Sequence, residues 1–155
     1  MPAIDGLRIS GATRGRATGI QSDRQLTVDI SEASHVDLED ITTGFLDLQL
    51  SGASHLKGKI QAGTKAELEV TGASHIELKG AAIDMVLGVN GASHADLSGF
   101  QVQNARVSLS GASHGTVNIN GKLDTHLNGA SNLSWLGTAV MGEMEINGAS
   151  SIQRR

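Results

Sequence analysis

Five of the six histidines, His35, His55, His75, His94 and His114, recur every 19 or 20 residues, and each directly follows an Ala-Ser pair. Imidazole ligates metals, shuttles protons and titrates near neutral pH, so a regular column of it admits three readings. In a structural ladder, identical side chains stack and hydrogen-bond along a coil. For metal capture, tetrahedral zinc with nitrogens ~2.0–2.1 Å away needs two nitrogens ~3.3 Å apart. Rungs ~4.8 Å apart reach that if the rings tilt, giving an open two-histidine site with at most a carboxylate added. As a pH-responsive column, stacked imidazoles repel one another when protonated, which lowers their pKa values. Beside the histidines run Asp37, Lys57, Glu77, Asp96 and Thr116, two residues further on. His126 belongs to a different outward column and reads as an ordinary surface residue.

The types needed for nucleophilic catalysis occur together in Ser34-His35-Val36-Asp37. That stretch is a repeat unit, however, and a triad requires convergence in a sheltered pocket. There is no Gly-x-x-x-x-Gly-Lys-[Ser/Thr] loop, no Gly-x-Ser-x-Gly elbow and no His-Glu-x-x-His. No rung carries an insertion long enough to roof a site. The expectation is a non-enzyme with no cofactor and no assigned metal site, in which the five histidines are the candidate ligand-binding residues.

The elements that position the histidines follow from the repeat around them. Ser31-Glu32-Ala33-Ser34 recurs as Ser51-Gly52-Ala53-Ser54, Thr71-Gly72-Ala73-Ser74, Asn90-Gly91-Ala92-Ser93 and Ser110-Gly111-Ala112-Ser113. Degenerate copies start at Asn128 and Asn147, and a partial one is Ser10-Gly11-Ala12-Thr13. Before each start stands an aliphatic residue: Ile9, Ile30, Leu50, Val70, Val89, Leu109, Leu127 and Ile146. Two residues earlier come Leu7, Val28, Leu48, Leu68, Leu87, Val107, Thr125 and Met144, with one residue between. Alternation of this kind predicts strands with one buried face. After the turn, Val36/Leu38, Ile76/Leu78 and Ala95/Leu97 point one way and Asp37, Glu77 and Asp96 the other. If that phase holds through the turn, Ser34 points inward and His35 outward.

Each repeat therefore reads as strand, Gly-Ala-Ser turn, strand and loose return. Stacked at ~4.7–4.9 Å, the repeats make an all-β parallel β-helix, or solenoid, of about seven rungs spanning roughly 30–35 Å. The usual crossover preference makes it right-handed. The whole chain, 1–155, reads as one solenoid domain with repeats starting near 10, 31, 51, 71, 90, 110, 128 and 147. The end rungs differ: Arg14 replaces histidine, Arg16 lies nearby, and the sequence runs out as Gln153-Arg154-Arg155. Charge at an open sheet end discourages edge pairing; two ordinary polar termini are the other reading. Trp135 stands where most rungs have leucine or valine and reads as filling the tapering end of the core, with a partner contact as the alternative.

Composition narrows the function classes. The chain has 155 residues, net charge −4, no cysteine, and Phe45, Phe100 and Trp135 as its aromatics, so the core should be narrow and aliphatic. A slightly acidic balance without a basic run gives no footing for nucleic acid or a membrane surface. No disulfide or thiolate site is available, and no apolar stretch approaches the ~18–20 residues of a membrane span. Residues Met1–Gly6 show no basic region leading into an apolar one, so this stretch does not read as a signal peptide as it stands.

Gly-Ala-Ser motifs set between aliphatic-polar-aliphatic strands, from about Leu7 to Ile152, resemble the bacterial head GIN domain family of autotransporter adhesin heads. The resemblance implies a β-helix without catalytic residues, a role in adhesion, and export to the cell envelope or beyond. It supplies no binding residues. The resulting expectation is an adhesin-like surface module whose repetitive face meets another protein or a glycan surface, with homo-oligomerisation open. Two alternatives stand beside it: a self-assembling cytoplasmic β-helix of bactofilin type, and metal capture by the histidine ladder.

Overall fold

The computed structural model describes residues 6–9, 11 and 14–154. Ser10, Ala12 and Thr13 of the partial first copy, the stretch Met1–Asp5 and Arg155 lie outside the described residues. The described chain is all-β, with parallel strands wound into a solenoid of about seven turns. Its elements are β1 (Gly6–Ile9), β2 (Arg14–Thr18), β3 (Gln21–Ile30), β4 (His35–Leu50), β5 (His55–Val70) and β6 (His75–Val89). They continue as β7 (His94–Leu109), β8 (His114–Leu127), β9 (Asn132–Leu136), β10 (Val140–Ile146) and β11 (Ser151–Arg154). Every pairing is parallel and joins equivalent positions of successive repeats, in the order β1-β3-β4-β5-β6-β7-β8-β9-β11, with β2 on β4 and β10 on β8.

The return expected to be loose is strand. From β4 to β7 each strand runs 15 or 16 residues without a break. It bends where the register slips, between Leu38 and Ile41 and again between Thr43 and Phe45 in the β4–β5 pair. In a parallel coil the backbone groups at a bend still meet those of the rung above and below, so they stay in the ladder instead of turning to water.

The core is a set of inward columns. Val28, Leu48, Leu68, Leu87, Val107 and Thr125 form one, and Ile30, Leu50, Val70, Val89, Leu109 and Leu127 the next; all are buried. Phe100 is the one aromatic in the buried core, and its neighbour in register is Gly80. Gly80 has φ +136°, and a Cβ there would lie 1.8 Å from the Ile60 carbonyl oxygen. The close approach of the Ile60 carbonyl demands glycine here, and the register sets that glycine beside the bulkiest fully buried side chain. Trp135 continues the Leu97–Val117 column and packs half-buried against the core, with the Arg154 guanidinium 5.2 Å from its ring centre.

Candidate functional site

The histidine column begins at the Gly-Ala-Ser corner. Each serine there is buried: Ser34 is 1 % exposed and Ser54 and Ser93 fully enclosed. Its hydroxyl is held by two carbonyls. Ser74 Oγ donates to the Thr71 carbonyl at 2.8 Å, with the Gly52 carbonyl of the rung below at 3.1 Å. Ser54, Ser93 and Ser113 repeat the pattern. The same Gly52 carbonyl accepts the Ala73 N–H at 2.9 Å, so each corner is stitched to its neighbour by backbone and side chain together. Glycine is strongly favoured here. Gly72 has φ +80°, in the left-handed region, and a Cβ on it would meet Gly52 O at 2.5 Å. Glu32 occupies the same conformation, φ 64°, in the first described copy.

With serine inward, the next side chain must face out, and all five histidines are exposed. Backbone bonds place them: His55 N–H to Ser34 O at 2.8 Å, His75 N–H to Ser54 O at 2.8 Å, His94 N–H to Ser74 O at 2.9 Å. Register pairs His35, His55, His75, His94 and His114 in sequence, with Arg14 below and Asn132 above. Ring centroids are 4.7, 5.3 and 5.0 Å apart over the first three steps, with planes within 12° of parallel. The last step, His94 to His114, is 4.7 Å with a 41° tilt. Among the described residues these five imidazoles have no hydrogen-bond or ion-pair partner, whereas His126, outside the column, lies 3.3 Å from Glu145.

The neighbouring outward column is Asp37, Lys57, Glu77, Asp96 and Thr116. A hollow of ≈ 130 Å³ lies between the two columns at His35, His55 and His75. A larger one, ≈ 320 Å³, is lined by Asp37, Lys57, Glu77 and the further pair Lys59 and Lys79. Burial, followed by the charge on His35 and His75, lowers the His55 pKa. Burial, followed by His114 and His75, lowers that of His94.

The geometry sorts the chemical possibilities. Ser34 and His35 lie on opposite faces, and the serine proton is engaged by carbonyls, so the Ser-His-Asp types of the repeat are not brought together. Rings stacked face to face aim their in-plane lone pairs side by side and not at a common point. Among the described residues no group of three or more His, Asp or Glu is placed to hold a metal ion. What the arrangement offers is a straight row of unengaged imidazole edges.

A family model described as "Putative auto-transporter adhesin, head GIN domain" matches residues 1–139. The chain belongs to the head GIN domain family. No curated protein and no solved structure matches it. The adhesin-like family and the solenoid fold of this head GIN domain point to a non-enzyme. No helix among its described residues is long and apolar enough to cross a membrane. Sequence reasoning on this head GIN domain found the histidine column but passed over Lys59 and Lys79, which pair in register. Their signal was available: the same residue type stands four positions after consecutive repeat histidines.

Proposed function

We propose that the chain is a non-enzymatic, adhesin-like binding module that presents the strip His35–His55–His75–His94–His114 to a partner surface, a protein or a glycan. The observation that carries this reading is five exposed imidazoles in line, the first four mutually stacked, and none of the five with a hydrogen-bond or ion-pair partner among the described residues. Exposed polar side chains that make no internal bond contribute little to folding and are free to bond a partner. A flat row suits an extended surface, where many modest contacts add up, and not a small molecule that needs enclosure. This reading puts the module's work at the cell envelope or outside it. The test is binding of the labelled chain to glycan and cell-surface protein arrays, with a His55→Ala/His75→Ala variant in parallel. Signal on the arrays that falls with the variant supports the reading; binding that the variant leaves intact sinks it.

A second reading, assembly of chains end to end, is favoured by the exposed apolar side chains of β10: Val140 at 71 %, Met144 at 45 % and Ile146 at 39 % exposure. Sedimentation across a concentration series separates the two, since growing assemblies belong to the second alone.

A further inference from the structure

The histidine strip has a constant pitch, 4.7–5.3 Å between ring centres over four steps. A ligand that engages every rung must repeat at that pitch. Compact ions do not, whereas an extended pyranose chain advances by a similar length per sugar and is slender enough to lie along a single column. The corner column beside the strip is made of exposed Ala53, Ala73, Ala92 and Ala112, so nothing bulky stands between the imidazoles and a chain lying along them.

Charge decides which pyranose chain. With neutral imidazoles, the outward column beside the strip carries Asp37, Glu77 and Asp96 against Lys57, a net negative surface. Arg14, on β2, stands next to His35 in register, and Arg16 of the same strand is engaged with Glu39 at 3.4 Å. Glu32 sits at the first corner, and Lys59 and Lys79 flank the acidic column on its far side. From β9 the ladder meets only Asn132 and Ser134, which do not titrate. With Glu32 and Asp40 counted beside Asp37, Glu77 and Asp96, five carboxylates face the four cations Arg14, Lys57, Lys59 and Lys79, so a few protonated imidazoles are enough to carry the strip from net negative to net positive. None of Asp37, Glu77 and Lys57 is tied up in an ion pair among the described residues, so nothing pins the charge at either extreme.

We propose that the strip is a charge-reversing dock for a linear acidic polysaccharide, one carboxylate per sugar, held at acid pH and released near neutrality. This rests on the binding-module reading and names its partner and control. Each bound uronate accepts a charge-assisted N–H bond from an imidazolium, and the carboxylates of the Asp37 column repel the same polymer once the imidazoles are neutral.

The probe is a series of oligogalacturonates of increasing length, titrated calorimetrically against the 155-residue chain at about pH 5 and about pH 7.5, either side of the ordinary histidine range. Neutral dextran oligomers and single-stranded oligonucleotides serve as comparisons. Expected is binding at least about tenfold tighter at the lower pH, rising with length until about five sugars, one per histidine, and weakened by salt. His55→Gln/His75→Gln/His94→Gln removes the charge but not the polar side chain and should abolish the pH dependence; its urea midpoint shows that it is folded. Equal affinity at the two pH values, no effect of the triple variant, or dextran bound as well as uronate overturns the proposal. Tighter binding of oligonucleotides overturns it in favour of a nucleic-acid surface. If the strip captures a different array ligand without pH dependence, the polyuronate assignment falls and the binding module stands. Loss of every ligand together with array signal that ignores the histidines removes both.

Discussion

Replacing Gly72 by alanine tests the corner on which the whole column depends. Three costs follow from its geometry. A φ of +80° places an L-residue in the left-handed region, at about 1–2 kcal/mol. The added Cβ would stand 2.5 Å from Gly52 O, so one of the two corners must move. Gly52 O is also the acceptor for Ala73 N–H and lies within reach of Ser74 Oγ. Displacing it weakens both bonds, each with a net value of about 0.5–1.5 kcal/mol. Together these give a loss of about 2–5 kcal/mol, a large part of the roughly 5–15 kcal/mol typical of a folded domain. Urea unfolding followed by far-UV circular dichroism should show the midpoint falling by about 1–2 M with little change in slope. Glu32→Gly is the reciprocal experiment. At φ 64° a glycine relieves strain, and the midpoint should rise by the equivalent of about 1 kcal/mol, less the entropy glycine restores to the unfolded chain. A Gly72→Ala loss below about 1 kcal/mol, or a Glu32→Gly variant less stable than the parent, would refute the stacked-corner account.

Four further outcomes follow from the interior and the outward columns. Thr125 Oγ1 is buried in an aliphatic column with no hydrogen-bond partner, so Thr125→Val should raise stability by about 1–2 kcal/mol in the same urea assay. Phe100→Ala, opposite Gly80, empties the site of the largest fully buried side chain and should cost about 3–5 kcal/mol. His55 and His94 have folded pKa values lowered from 6.5, so the unfolded chain binds protons more readily. Stability should be fully present above about pH 6.5 and decline as pH falls through that value toward the folded pKa values. Asp47, whose pKa is raised by burial and then by Glu67 and Asp29, works in the opposite sense, so Asp47→Asn should stabilise the chain at neutral pH. Thermal unfolding between about pH 4.5 and 8, with His55→Gln/His94→Gln flattening the acid limb, checks both signs.

The sequence alone determined the coil, its period and the inward or outward sense of each column. Those depend on local alternation repeated in step: Ser34 in, His35 out, Val36 in, Asp37 out is legible in one repeat and reinforced by the next. It also singled out the five histidines, because a column of identical residues in a solenoid is a column in space. Tertiary structure decided what lies between repeats and how the columns interact. The return from Glu39 to Phe45 carries no strict alternation, yet it is strand, because its backbone bonds come from neighbouring rungs and not from its own sequence. The match of Phe100 to Gly80 joins residues twenty apart whose pairing depends on a register shift that no local pattern encodes. Whether the imidazoles chelate or stack likewise depends on ring orientation. That orientation follows from the near-5 Å pitch and the bonded serine corners, which hold the rings from His35 to His94 nearly parallel, with their edges free.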